Sequence, residues 1–211
     1  YYLIILPFSK LPFRLLYVIS DVLYLLIYYL FKYRRAVVGT NLSKSFPHLN
    51  KAELLKIEKE FFRYFCDLAV ESIKAFTISK KEIDVRFTHR NPEIVNKYFD
   101  KGQHITLVGG HYGNWELYAV SVAMHMPYRP VALYTALGNK FMNGKILGSR
   151  AKYGLWLKKY IDIKKMMTDP DHERLAVIFG ADQCPIYSQK PYWMEFLNQE
   201  TAVNFGAEKF A

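Results

Sequence analysis

Residues 107–116 read LVGGHYGNWE, an apolar run that ends in two glycines followed by His111 and, five positions later, Glu116. The apolar run has the composition of a buried strand. The glycine pair lets the backbone turn sharply after that strand and approach a ligand closely. Asn114 is then a suitable N-cap for a helix that carries Glu116 in its first turn. The stretch therefore predicts a strand, a tight turn and a helix, with an imidazole and a carboxylate at the end of the strand.

The rest of the chain repeats this alternation of strands and helices. Asn50 precedes a long amphipathic helical pattern, with apolar residues at positions 54, 57, 61, 62, 65, 69 and 73. Short β-type runs follow at 85–88, 105–108, 130–134 and 175–179. Helical stretches separate them near 92–101, 114–126, 138–152 and 160–168. This order predicts an α/β fold with a mainly parallel sheet flanked by helices.

The N-terminal segment is strongly apolar: residues 15–31 read LLYVISDVLYLLIYYLF, with Asp21 as the single charge. A spanning helix needs about 20 residues, and a charge near its centre costs roughly 2.5–3.5 kcal/mol. The segment therefore favours a helix lying in the membrane interface, and an ordinary buried helix of a soluble domain is the alternative. If the segment anchors, Lys32, Arg34 and Arg35 would place the following domain on the cytoplasmic side. We predict a membrane-associating helical segment over residues 1–35.

Charge and cysteine content restrict the class of partner and the compartment. Lys and Arg number 29 against 19 Asp and Glu, so the formal charge is +10. Such a chain favours an anionic partner, either phosphate, a lipid head group, nucleic acid or an acidic protein. Nucleic-acid binding would place aromatic residues among the basic ones, but here the densest aromatic stretch is the apolar N-terminus, which favours a membrane surface. Cys66 and Cys184 are too few for a disulfide framework, and they indicate a reducing compartment.

His111 and Glu116 suggest acid–base chemistry. A carboxylate in the first helical turn can reach back to one imidazole nitrogen, fix the tautomer and support the cation formed when the other nitrogen takes a proton. The alternative is that His111 is a loop residue and Glu116 a favourable charge at a helix N-terminus. Asp182 follows the run at 175–179, and functional groups gather beyond the carboxyl ends of parallel strands.

These residues carry a resemblance. Residues 110–116, GHYGNWE, are similar to the first motif of the late acyltransferases of lipid A biosynthesis, the lauroyl and myristoyl transferase family, in which a histidine, four intervening residues and an acid form the catalytic pair. The similarity spans essentially the whole chain, with further matching segments at 34–35, 41–42, 45–47, 71–74 and 180–183. The chain begins without a methionine and ends in a predicted helix, whereas family members usually continue further, so we expect residues to be missing at both ends.

The resemblance implies a glycerolipid acyltransferase-like fold, with residues 36–211 as the acyltransferase domain. It implies transfer of a fatty acyl chain from an acyl carrier protein thioester to a hydroxyl of an anionic glycolipid, a lipid A precursor, at the cytoplasmic face of the bacterial inner membrane. His111 would be the general base and Glu116 its orienter, with no metal, no cofactor and no nucleic acid involved. The residues expected to bind substrate are Asn114, Arg150, Asp182 and Gln183.

Several alternatives stay open at this point. The donor is either the acyl carrier protein or coenzyme A, since relatives that use acyl-CoA share the first motif. Residues 196–201 depart from the family pattern in a segment expected to line the acyl pocket, which leaves chain length and acceptor open. Two rivals are hydrolysis of the thioester by the same histidine, and a non-catalytic protein that binds anionic membranes through its basic surface.

Overall fold

The computed structural model describes residues 1–159, 162–163, 166, 173–183, 185, 191–204, 206–208 and 210–211. The α-helices in this part of the chain are α1 (Ile5–Lys10), α2 (Phe13–Tyr24), α3 (Arg35–Ser45), α4 (Lys51–Lys74), α5 (Lys80–Arg86), α6 (Asn96–Asp100), α7 (Trp115–Ser121) and α8 (Lys140–Ala151). A π-helical turn (Leu25–Leu30) continues α2, and 3₁₀ turns occupy Pro92–Val95 and Val122–Met124. The strands are β1 (Ile105–Gly109), β2 (Arg129–Leu133), β3 (Trp156–Lys158), β4 (Leu175–Gly180), β5 (Tyr192–Phe196) and β6 (Gln199–Val203).

The main sheet is parallel throughout and has the strand order β1-β4-β2-β3. Its central strand, β4, is almost entirely buried, as expected of a strand covered on both faces. Of the four strands of this sheet, the one latest in the chain, β4, thus lies between β1 and β2, which are connected through α7. The predicted α/β fold with a parallel sheet flanked by helices is confirmed.

The long helix α4 begins where the sequence predicts. The side chain of Asn50 accepts hydrogen bonds from the backbone N–H groups of Ala52 and Glu53, and the Glu53 carboxylate accepts one from the backbone of Asn50. This capping box satisfies N–H groups that lack partners within the helix. One face of α4 then packs against α2 and α3.

The N-terminal helix α2 has two different faces. Phe13, Leu16, Ser20 and Tyr24 are buried, and Phe13 belongs to the same core cluster as residues of α5 and α7. The opposite face is apolar and exposed, with Leu15, Val18 and Val22 each more than half accessible. By length and composition, the helical stretch at 13–30 could cross a membrane, yet 28% of it is buried inside the protein. The N-terminal segment is therefore packed against the fold along one side.

Some elements differ from the prediction. The β-type run at 85–88 is not a strand: α5 covers its first half, because Ser79 and Glu82 form a capping box that starts a helix and Ile83 is buried beneath it. Val85, which suggested a strand, is 78% exposed. The sequence also missed β3 and the antiparallel hairpin of β5 and β6. Most of the helix predicted at 160–168 lies outside the described residues.

Candidate active site

The register of the sheet brings His111 and Asp182 together. Gly109 and Gly180, the last residues of β1 and β4, are paired across the two strands, and the backbone N–H of Ala181 donates to the carbonyl of Gly109. His111 and Asp182 each lie two residues beyond this glycine pair. Two parallel neighbouring strands that end at the same level therefore place the imidazole beside the carboxylate.

Two hydrogen bonds join His111 to Asp182. Nδ1 of the ring lies 2.7 Å from Asp182 Oδ1, and the backbone N–H of His111 donates to Oδ2 at 2.6 Å. Burial alone would raise the pKa of Asp182, but these bonds from His111 outweigh it and hold the pKa below its usual range. An ionised carboxylate only accepts hydrogen bonds, so Nδ1 must carry the proton. The neutral ring then presents an unprotonated Nε2, the atom that a general base uses.

Two glycines make room for this pair. A β-carbon on Gly180 would lie 2.9 Å from Cε1 of His111, and one on Gly110 would lie 3.0 Å from Oδ2 of Asp182. Both distances are shorter than ordinary van der Waals contacts. Any larger residue at these two positions would therefore push the imidazole or the carboxylate out of place.

Glu116 occupies the first turn of α7, as predicted, but its carboxylate points to α8. Arg150 forms a two-pronged pair with it, Nε donating to Oε2 at 2.9 Å and Nη2 donating to Oε1. The sequence predicted that the Glu116 carboxylate accepts a hydrogen bond from the imidazole, but among the described residues the carboxylate bonded to the ring is that of Asp182. The physical reason is the strand order, which places Asp182 next to His111, while Glu116 meets a guanidinium on the neighbouring helix.

The other predicted site residues lie around this pair. Asn114 is the N-cap of α7: its side-chain oxygen accepts from the backbone N–H of Leu117 at 3.0 Å, and its side-chain amide donates to Glu71 at 2.5 Å. Gln183 places its amide nitrogen 3.5 Å from Nε2 of His111, a long contact. The structure therefore brings together Asp182, Gln183 and His111, and uses Asn114 to start the following helix.

An apolar cavity of about 380 Å³ opens beside His111. Its walls come from the carboxyl-end halves of β1, β2 and β4 and from α7, with Arg150 as a charged member. The apolar and aromatic lining residues are Phe87, Leu107, Val108, Tyr112, Trp115, Tyr118, Ala119, Ala132, Leu133, Leu155, Leu157, Ile178 and Phe179. Residues 196–201, expected to line this pocket, instead form the tip and second strand of the β5–β6 hairpin and are not among the lining residues. Such a cavity suits a hydrocarbon chain next to a polar reacting group.

In the described part of the chain, no group of three or more His, Cys, Asp or Glu side chains is placed to hold a metal ion. The prediction that the reaction needs neither a metal nor a cofactor stays a prediction. The charged or titratable nitrogen groups that line the cavity are the His111 imidazole and the Arg150 guanidinium, and each is hydrogen-bonded to a carboxylate behind it. Such groups can move a proton and stabilise charge.

The sequence did contain a signal for the partner of His111. Asp182 was placed at the carboxyl end of a strand, as was His111, but the order of the strands was not predicted. The sequence singled out residues 71–74 by resemblance alone, and the hydrogen bond between Glu71 and Asn114 was not predicted, because it joins residues 43 positions apart.

Comparison with known proteins identifies the family of the chain. No curated protein matches the chain. The family described as bacterial lipid A biosynthesis acyltransferases matches it over residues 1–211, its whole length. The chain therefore belongs to the bacterial lipid A biosynthesis acyltransferases, and it is an acyltransferase enzyme.

Proposed function

We propose that the enzyme transfers a fatty acyl chain from an acyl carrier protein thioester to a hydroxyl of a lipid A precursor, with His111 as the general base. The observation that carries this proposal is the imidazole of His111, held through Nδ1 by Asp182 while its ring lines an apolar cavity. A hydroxyl is a poor nucleophile near neutral pH, so a positioned base is the group that the reaction needs. The cavity beside the base has the apolar lining that an acyl chain requires.

The steps balance without a covalent enzyme intermediate. The acceptor hydroxyl attacks the thioester carbonyl while Nε2 of His111 takes its proton, and Asp182 stabilises the resulting imidazolium. The tetrahedral oxyanion faces either the backbone N–H groups of the glycine turn or the guanidinium of Arg150. When the intermediate collapses, the carbon–sulfur bond breaks, and the leaving thiolate takes the proton back from His111.

Glu116 acts in this scheme through Arg150. The sequence assigned to it the role of orienting His111, and we now propose Asp182 for that role because it makes the contact. Glu116 holds the guanidinium at the cavity wall, since both oxygens of its carboxylate accept from Arg150. Gln183 lies close enough to Nε2 to help position the acceptor hydroxyl.

The acidic donor protein would bind to basic residues on and after α8. Lys140 and Lys159 are exposed there, and long-range attraction between such residues and an acidic carrier speeds encounter. Lys152, directly after α8, is not available to the carrier, because its ammonium donates to the carbonyls of Ala75 and Ile78. The carrier would therefore meet Lys140 and Lys159 and not every lysine of this stretch.

The exposed face of α2 supports attachment to the cytoplasmic face of the inner membrane. Leu15, Val18 and Val22 present apolar surface to the outside, while the opposite face of the helix packs on α4. Exposed apolar faces of this kind bind the boundary between head groups and acyl chains. We expect Val18→Asp with Val22→Asp to abolish flotation with anionic phospholipid vesicles. Val85→Asp, at a still more exposed valine on α5, is the control and is expected to float normally.

The test of the reaction uses acyl carrier protein loaded with a radiolabelled acyl chain, with and without a lipid A precursor. We expect label to move to the lipid only when the acceptor is present, and His111→Ala to reduce this transfer by about 10²–10⁴-fold. His48→Ala, at an exposed histidine away from the cavity, is the control and should keep the wild-type rate. Equal loss of thioester without acceptor would indicate hydrolysis, and transfer from acyl-CoA alone would replace the proposed donor. Near-normal transfer by His111→Ala would refute the role of the histidine.

A further inference from the structure

Besides Asp182 and Glu116, a further carboxylate, that of Glu71, is connected to the active site, although it does not line the cavity. It lies in the last turn of α4, and two side chains from other helices donate to it. The Tyr17 hydroxyl of α2 reaches Oε1 at 2.8 Å, and the Asn114 amide, at the start of α7, reaches Oε2 at 2.5 Å. Glu71 therefore joins three helices at a half-buried point.

The helix that carries Glu71 does not explain its presence. A negative charge in the last turn of a helix faces the negative end of the helix dipole, which is unfavourable. An acid at this position is therefore explained by its tertiary contacts. Burial, together with the hydrogen bond to Glu71, raises the pKa of Tyr17 to about 12, so the phenol remains a donor to this carboxylate.

Glu71 determines which way the Asn114 amide faces. A carboxylate accepts hydrogen bonds only, so the amide nitrogen of Asn114 must point toward it. The side-chain oxygen is then left to accept from the backbone N–H of Leu117 and to cap α7. The reversed orientation would set the oxygen against the carboxylate and the amide nitrogen against the Leu117 N–H, and both bonds would be lost.

The turn held by Asn114 is the one that carries His111. Strand β1 fixes the turn at its beginning, and the cap at Asn114, three residues after His111, fixes it at its end. Gly113, between them, has φ +71, a conformation that glycine adopts readily and that makes the turn tight. The ring of Trp115, directly after the cap, also packs edge-on against the imidazole, with ring centroids 5.2 Å apart.

We propose that Glu71 is a positioning residue of the active site, which acts through Asn114 to hold the turn at 110–114 so that His111 lies against Asp182. This inference rests on the proposed role of His111 as the general base. It assigns Asn114 to the same device, in place of the substrate contact expected from the sequence. Tyr17 fixes the carboxylate from the side of α2.

An exchange of donor and acceptor tests the proposal. Asn114→Asp keeps an oxygen for the cap, since Asp and Asn are equally good N-caps, but it sets a second carboxylate against Glu71, and like charges repel. We expect kcat to fall by about 10²-fold, the effect of displacing a catalytic group by roughly 1 Å. Combining it with Glu71→Gln supplies an amide donor to the new carboxylate, and we expect kcat to return to within about 5-fold of wild type.

Two further measurements separate positioning from folding and from substrate binding. The KM for the donor should stay within about 2-fold in all variants, because a positioning residue affects the chemical step. Hydrogen exchange at the amides of residues 115–118 should speed up in Asn114→Asp and slow again in the double variant. If Asn114→Asp does not fold, Glu71→Ala replaces it, and we expect its kcat to fall by about 10²-fold. Glu71→Gln is its control: the Gln oxygen can accept from Asn114 while the Gln amide donates to the Tyr17 hydroxyl. We therefore expect Glu71→Gln to lose less than about 5-fold in kcat.

The outcomes distinguish this inference from the proposed function. Suppose that the wild-type enzyme transfers acyl chains, but Asn114→Asp with Glu71→Gln stays as slow as Asn114→Asp. This result would overturn the role of Glu71 and leave the proposed function intact. The same holds if Glu71→Ala keeps the wild-type kcat. A wild-type enzyme without acceptor-dependent transfer would overturn both, and the exchange rates would then show only that the hydrogen bonds exist.

Discussion

Two pairs of charged side chains each contribute one member, His111 or Arg150, to the lining of the same cavity, and they differ in what they connect. His111 and Asp182 come from the loops after β1 and β4, and their side chains are 33% and 44% exposed. Glu116 comes from α7 and Arg150 from α8, and their side chains are 18% and 28% exposed, respectively. The first pair lies beyond the carboxyl ends of β1 and β4, and the second lies between α7 and α8.

The difference in exposure assigns a different role to each pair. An exposed ion pair contributes about 0–1 kcal/mol to stability, so the first pair is poorly explained by folding. A partly buried, two-pronged Arg–carboxylate pair is strong and directional, and breaking it leaves an unpaired charge. The histidine and the acid of one short motif thus belong to separate pairs, one suited to chemistry and the other to holding α7 against α8.

Asp182→Asn should produce the largest effect on the rate of transfer. The amide can present its nitrogen to Nδ1 and hold the ring in the wrong tautomer, and it supplies no charge to support the imidazolium. We expect kcat to fall by about 10³-fold, while the free energy of unfolding changes by less than about 1 kcal/mol. The measurements are acceptor-dependent turnover and thermal unfolding. Near-normal turnover would contradict the assignment of Asp182 as the orienting residue.

Gly180→Ala should affect the same pair sterically. The new β-carbon would meet Cε1 of His111 at 2.9 Å, so the ring must move away from Asp182. We expect kcat to fall by about 10-fold, less than the loss for a group displaced by a full ångström. Gly109→Ala, at the paired position on β1, is the matched control, because nothing lies within 4 Å of its β-carbon. Equal losses in the two variants would contradict a specific effect on the imidazole.

The sequence predicted the strands of the sheet better than their arrangement. The runs at 105–108, 130–134 and 175–179 became β1, β2 and β4 because continuous apolar stretches suit a doubly covered parallel sheet. The order β1-β4-β2 depends on packing between distant parts of the chain, which local patterns do not record. The sequence therefore placed Asp182 beyond the carboxyl end of a strand, but it did not predict the contact with His111.

Two local patterns show where sequence reasoning stops. The β-type run at 85–88 was outweighed by the capping box of Ser79 and Glu82, a competing local signal that the periodicity did not weigh. The spacing of five between His111 and Glu116 allowed a contact, but it gave no information on Arg150, which is 34 residues beyond Glu116. The positions of the candidate site residues in the fold were thus more predictable than their pairing.

Glu116→Gln should separate the two pairs by the kind of effect. The change removes the charge that Arg150 needs, and hydrogen bonds to charged groups contribute about 1.5–3 kcal/mol. We expect the free energy of unfolding to fall by about 1–3 kcal/mol and kcat to fall by less than about 10-fold, the reverse of the pattern for Asp182→Asn. Denaturant unfolding and turnover measured on the same preparations test this. A loss of 10²-fold or more at unchanged stability would return Glu116 to the role of orienting His111.

Arg150→Lys should give the smallest effect and sharpens the comparison from the other side. Lysine keeps the positive charge beside Glu116 but loses the planar fork that binds both carboxylate oxygens at once. Because the charge at the cavity wall remains, we expect kcat within about 2-fold of wild type and a loss of about 1 kcal/mol in the free energy of unfolding. If the guanidinium itself faces the oxyanion, the shorter reach and different geometry of lysine should instead lower kcat by more than 10-fold, with little change in stability. Measuring both quantities therefore decides whether Arg150 serves the helix pair or the reacting carbonyl, and we expect the result that assigns it to the helix pair.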